Sequence, residues 1–432
     1  MTTGEPRTTA DEAKSGENEP NGEVRKRMEK EIGDLVAFYK DLHTNPELSL
    51  KEVRTSAKLA AELKNLGFDV TTKFGATGVV GVLKNGKGPT VLIRTDMDAL
   101  PVTEATGLPY ASKVRVRDKN DNEVGVMHAC GHDIHMTSWV GAARVLSGMK
   151  DRWKGTLVFI AQPAEEIGTG ARLMLEAGLY EKFPKPDYCL ALHADAQRAH
   201  GTIGYTEGMA MANVDSVDII VKGKGGHGAT PHMTVDPIVL SARIIMDLQT
   251  LVSRETNPVD SAVVTVGSIH GGTKHNIIPN EVKLQLTVRS FKESVRKHLL
   301  DGIKRIAEGC AKAANAPPPV VTVDLAEFTP ALSNDAELTR KTVAVFKNVL
   351  GEKNVLPRPP LMGGEDFARY AVGKTPVFMW WLGTIDPAKV LKAENGGSPL
   401  PSMHSALYYP EPEPSLRLGV TTLSLGALNL LK

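Results

Sequence analysis

Cysteine is scarce in this chain: three in 432 residues, at Cys130, Cys189 and Cys310. An odd and scattered set argues against a disulfide framework and for a reducing compartment, so a cytoplasmic location is expected. Long apolar runs are missing as well, and no segment reads as a bilayer span. The first 23 residues contain no Val, Ile, Leu or aromatic side chain. Such a stretch cannot bury anything and is expected to be a disordered tail; lacking an apolar region, it does not read as a secretory signal. Neither sign of charge is in excess. With 51 Lys and Arg against 50 Asp and Glu the net charge is +1, which gives no reason to invoke nucleic acid or an anionic membrane.

What is present is enough apolar residue, 41% of the chain, for more than one core at this length. A helical pattern from Glu23 to about Leu66 is interrupted at "HTNPELSL", where Asn45-Pro46 marks a turn. Buried-strand runs follow at "TGVVGVL", "TVLIRTDMDALP", "GTLVFIAQPAEE" and "DYCLALHAD", with helices between them. This alternation predicts an α/β layer with a mostly parallel sheet. Around residue 213 the texture changes to βαββαβ, the order of the ferredoxin-like α+β motif. The expected organisation is a tail over 1–23, one domain from 24–212 and 327–432, and an inserted domain over 213–326. Loops are expected at 356–364 and 396–401.

Chemistry-bearing residues gather at the ends of three strand runs: Asp96 and Asp98; Glu165 and Glu166; His193 and Asp195. Ligands of open α/β sheets bind beyond the carboxyl ends of the strands, so these should converge. "HACGHDIH" precedes a helix expected from about Ile134 with Asp133 as N-cap, and the helix dipole would favour a Cys130 thiolate. Cys130 on its own could be a nucleophile, half of a disulfide, a metal ligand or a small buried hydrophobe. A thiol, imidazoles and carboxylates together form a ligand set for a borderline-soft ion such as zinc. Of two adjacent glutamates, one could hold metal while the other takes a proton from water. Spacing does not say which.

In "DMDALP", "HACGHDIHM", "AQPAEE", "LHAD", "GKGGHGATPH", "GGTKHNIIPN", "MGGEDFA" and "PSMHSALYY", the chain resembles the two-metal aminoacylase and carboxypeptidase family. The similarity runs from about residue 30 to the C-terminus. The branch it resembles cleaves N-acyl amino acids and includes hippurate and auxin-conjugate hydrolases. The resemblance implies two divalent ions (Zn²⁺, Mn²⁺ or Co²⁺), with Cys130 shared between them, His132 and His193 on one, and Glu166 and His404 on the other. It further implies Glu165 as general base and Asp98 as the carboxylate orienting His132. Asn276 and Arg289 would hold the substrate carboxylate, and Gly363 and Gly364 would let backbone approach the substrate. The inserted domain would be a lid that also dimerises, giving a homodimer or a higher oligomer. Its His227 would stabilise the oxyanion in a neighbouring subunit.

Gly228, Asn280, Met403 and Ala406 depart from the branch's usual pattern without removing a ligand or base. Trp380, Trp381 and the 385–402 loop look individual and leave the acyl preference open. The expected activity is hydrolysis of a small N-acyl amino acid to a carboxylic acid and an amino acid. Rival readings are a dipeptidase or carboxypeptidase, a non-catalytic binding protein on the same fold, and a thiol hydrolase.

Overall fold

The computed structural model describes residues 20–117 and 121–432. Of the tail expected over 1–23, residues 1–19 lie outside the described residues, and the backbone of 20–23 already belongs to helix α1 (Pro20–Thr44). The chain then runs through α2 (Val53–Asn65), β1 (Asp69–Phe74), β2 (Gly78–Asn85), β3 (Thr90–Asp96), α3 (His132–Ser147), β4 (Gly155–Gln162), β5 (Tyr188–Ala199) and β6 (Ile203–Tyr205). Next come β7 (Asn213–Lys222), β8 (Gly226–His227), α4 (Pro237–Thr250), β9 (Ala262–His270), β10 (Ile277–Ile278), β11 (Glu281–Ser290), α5 (Glu293–Ala313) and β12 (Val320–Thr329). It closes with α6 (Ala336–Leu350), β13 (Val355–Pro357), β14 (Val377–Ile385) and α7 (Pro412–Leu430).

Contacts divide the chain into two units. The first is the chain up to Gly208 with Ser333–Pro359 and Arg369–Lys432; the second is Met209–Leu332 with Pro360–Ala368. The second unit thus begins four residues before the boundary read from the sequence, and it takes in residues 360–368. The reason is backbone pairing: Leu361 N donates to Ala210 O, and Ala212 N to the carbonyls of Leu361 and Gly363.

The first unit is built on an eight-stranded sheet of order β1-β2-β4-β3-β5-β14-β6-β13. Its centre is parallel: β3 with β4 and β5, and β14 with β5. These strands are almost fully buried, as their unbroken apolar runs required. Helices α1, α3 and α7 pack together on the sheet. The crossing of α3 and α7 is tight because it is made at glycines: a Cβ on Gly141 would stand 2.3 Å from Val420 Cγ2, and one on Gly419 2.2 Å from Ser138 Oγ. Trp380 is wholly buried against Phe346 and Phe378, and Trp381 lies under the Arg358 guanidinium. Trp380 is therefore a core residue and not part of an acyl pocket. The stretch 385–402 is not all loop: Asp386 caps a helix over Pro387–Glu394.

One irregularity places the site. β5 pairs with β3 only through Val91↔Tyr188, Leu92↔Cys189 and Ile93↔Leu190, yet stays on β14 through Trp381↔His193 and Gly383↔Asp195. His193 and Asp195 therefore lie within a long strand and not beyond its end. The sheet splits beside them.

The second unit carries a four-stranded antiparallel sheet of order β9-β11-β7-β12. In chain order this is 2-3-1-4, and α4 and α5 cover one face, as the βαββαβ reading anticipated. Alternating burial along β7 and β11 gives its core.

Candidate metal centre

The helix α3 starts two residues earlier than the sequence suggested. Gly131, at φ 79°, is its N-cap. Asp133 is therefore not the cap: it sits in the first turn, fully buried, and accepts from His43 Nδ1 at 2.7 Å. The left-handed Gly131 turns Cys130 and His132 to face the same space.

His135, on the next turn, bridges the split in the sheet. Its Nδ1–H donates to Asp96 Oδ1 (2.8 Å), and its Nε2 accepts from Ala194 N (2.7 Å). Both ring nitrogens are engaged, and burial pulls the pKa down to about 4. So Asp96 and His135, though close enough to hold an ion together with His132, are tied to each other and to the backbone.

His132 donates Nδ1–H to the backbone carbonyl of Asp98 at 2.7 Å, whereas the Asp98 carboxylate is 3.6 Å away. The carboxylate instead accepts from Glu165 N (Oδ1, 3.0 Å), Glu166 N (Oδ2, 3.0 Å) and Ser49 Oγ (2.6 Å). Thus Asp98 orients the ring mainly through its main chain while its side chain fixes the two glutamates. His193 donates Nδ1–H to Ala194 O, which turns Nε2 towards Cys130 Sγ, 3.6 Å away. His404 comes from a loop and is the exposed member. Its backbone is left-handed (φ 65°), and its Nε2 lies 3.3 Å from Cys130 Sγ and 3.5 Å from Glu166 Oε2. Such conformations in non-glycine residues cost on the order of 1–3 kcal/mol and gather at functional sites. Ala164, immediately before the glutamates, shares this feature at φ 52°. Asp195 is drawn away from this group by Arg198 and Arg358.

The donor set fits divalent ions. His132 Nε2 and Glu166 Oε1 are buried, without hydrogen-bond partners, and 3.7 Å apart. Cys130–His132–His193 and Cys130–Glu166–His404 each bring their ligand atoms within 4.8 Å of one another. The two trios share Cys130, which suits a thiolate between two ions. Electrostatics agree. Burial opposes charge on His132, yet Asp96, Asp98 and Glu166 hold its pKa up to about 10. Burial raises Glu166 to about 7. Burial and the carboxylates of Glu166, Glu165 and Asp96 push the Cys130 thiol up. These oppose the thiolate that the helix dipole favours, so a cation would have to displace the proton.

The remaining expected residues lie in the second unit. His227 and Asn276 are neighbours on the β8–β10 ribbon, where Gly228 N donates to Asn276 O. Arg289 donates to Met362 O (2.9 Å) and stands beside the 362–364 turn. A Cβ on Gly364 would meet Val214 at 2.6 Å. Sequence reasoning missed His135, Glu52 and Ser49; the "HTNPELSL" turn was the only local sign of Ser49.

Residues 92–397 match the peptidase family M20/M25/M40. Thermostable carboxypeptidase 2 of Saccharolobus solfataricus is 37% identical over 365 residues, covering 83% of this chain and 88% of that protein. N-acetylcysteine deacetylase of Bacillus subtilis is 38% identical over 353 residues, covering 81% and 88%. A solved Bacillus subtilis structure, described as a dinuclear metal binding peptidase of the M20 family, superposes with a TM-score of 0.76 at 32% identity, covering 93% of this chain and 99% of that one.

Proposed function

Since the chain belongs to peptidase family M20/M25/M40, we propose that it hydrolyses the amide bond of N-acyl amino acids with two divalent ions. The observation that carries this reading is the pair of ligand trios sharing Cys130, with Glu165 beside them. Cys130, His132 and His193 would hold one ion, and Cys130, Glu166 and His404 the other; zinc, manganese and cobalt suit these donors. Bound there, the ions supply Lewis acidity that polarises the amide carbonyl and acidifies the attacking water.

The chain does the rest. Glu165 takes a proton from water as its oxygen adds to the carbonyl carbon, then delivers it to the amine nitrogen as the C–N bond breaks. In His227, Nδ1 accepts from Ala229 N, leaving the proton on the exposed Nε2. That ring edge is a donor suited to an oxyanion, and in this reading it serves a second copy of the chain, making a homodimer. Arg289, half-buried, presents a cation to the substrate carboxylate, with Asn276 and the 363–364 backbone completing the pocket. Three free, buried cysteines support a cytoplasmic location. Among the described residues no helix is long and apolar enough to cross a membrane.

The carboxypeptidase relative supports a second reading, cleavage of short peptides. A panel of acetyl, benzoyl and indole-acetyl amino acids and dipeptides, assayed after chelation and again with each ion, separates them. N-acyl amino acids should turn over only with metal restored. Dipeptides cleaved far faster would favour the second reading, and full activity in metal-free protein would sink both.

A further inference from the structure

The turn that carries the paired glutamates offers three consecutive backbone N–H groups, at Ala164, Glu165 and Glu166. Converging amides of this kind make a concave anion site. Here the anions are internal. Asp98 takes the amides of Glu165 and Glu166, and Glu52 Oε1 takes that of Ala164 at 2.9 Å.

Glu52 is far from this turn in sequence and is wholly buried. Its Oε1 also accepts from Leu50 N (2.9 Å), and its Oε2 from Thr77 Oγ1 (2.6 Å). Leu50 and Ala164 are both non-glycine residues held at positive φ, 64° and 52°. One carboxylate oxygen thus ties down two strained backbones. The same segment reaches the other anion, since Ser49 Oγ donates to Asp98 Oδ2, and Ala99 N donates to Glu47 O at 2.8 Å. Residues 47–52, which begin inside the turn read from the sequence and run past its end, therefore supply one of the two carboxylates that cradle the turn of the paired glutamates and hold the other.

We infer that Glu52 is a positioning residue for Glu165: it fixes the left-handed Ala164 from which Glu165 is aimed, without touching substrate or ion. The inference rests on Glu165 being the base. Fixing the backbone one residue before a base sets its reach, and small misplacements of a catalytic group cost rate far more than binding.

The test compares Glu52→Ala with Glu52→Gln. Glutamine keeps an acceptor for Ala164 N at nearly the same volume. Glu52→Ala should lower kcat roughly tenfold to a hundredfold while KM and the number of ions bound stay at wild-type values. Glu52→Gln should restore most of that loss. A readout independent of turnover is hydrogen–deuterium exchange in the ion-free protein. The peptide over 162–168 should lose protection in Glu52→Ala and keep it in Glu52→Gln. Should Glu52→Ala fail to fold, Thr77→Val, which releases only Oε2, should give the same two changes in smaller measure.

A folded Glu52→Ala with full kcat and unchanged exchange overturns the inference, as does a Thr77→Val identical to wild type where Glu52→Ala will not fold. So does Glu52→Gln failing as badly as alanine, since charge and not an acceptor would then be needed. Glu165→Gln tests the underlying reading separately. If it stays active the base is elsewhere, while the exchange measurement still judges the clamp.

Discussion

Between Asp133 and Glu104, and packed against the rings of Tyr39 and Tyr110, the buried His43 imidazole is held as a cation. Burial opposes the charge, but the two carboxylates outweigh it and raise the pKa from 6.5 to about 9. A raised folded-state pKa stabilises the fold fully below 6.5, and that contribution disappears as pH climbs through about 9. His43→Gln should therefore flatten the alkaline decline of the melting temperature; an unchanged slope would assign that decline to another group. The paired glutamates separate in a different measurement. Glu165→Gln should retain both ions and lose roughly two to four orders of magnitude in kcat. Glu166→Gln should lose ion stoichiometry as well, because its Oε1 and Oε2 face His132 and His404. Metal analysis with the opposite pattern would exchange the two roles.

Helix α3 carries the site at its start and a close packing contact at its middle, so changes at Gly141 act on stability before chemistry. Gly141→Ala drives a methyl into Val420 and should cost about 1–3 kcal/mol, the usual penalty for overpacking a core. Denaturant melts check this, and a neutral result would mean that α7 can shift. At this scale much was legible. Unbroken apolar runs marked β3 and β4 because those strands are covered on both faces, and alternation marked β7 because one face is open. The residues named as ligands do gather around Cys130. Two things were not legible. Asp133 was read as an N-cap because capping is local, but its carboxylate is claimed by His43, 90 positions away. Glu52 was invisible for the same reason: its partner Ala164 is 112 positions away, and no spacing rule encodes such a pairing.

For the whole molecule, the proposed dimer makes a quantitative prediction. Subunits of His227→Ala and Glu165→Gln, each inactive alone, should on random reassociation recover about a quarter of wild-type activity, since half the dimers are mixed and each has one intact site. Inactive verified heterodimers would mean that His227 serves its own subunit or nothing catalytic. The narrow seam in the large sheet has a consequence for how the protein matures. β1-β2-β4-β3 and β5-β14-β6-β13 meet along three residue pairs and the His135 bridge. Cys130, His132, Glu165 and Glu166 come from segments following β3 and β4, whereas His193 and His404 arrive with β5 and the chain after β14. In a nascent chain the first group is synthesised long before His404 emerges. The proposed donor set is therefore complete only once both halves have docked, so ions held there would load after docking and would clasp the seam. Ion-free protein should accordingly exchange its β5 amides well before those of β3 and β4, and loading should bring the two rates together.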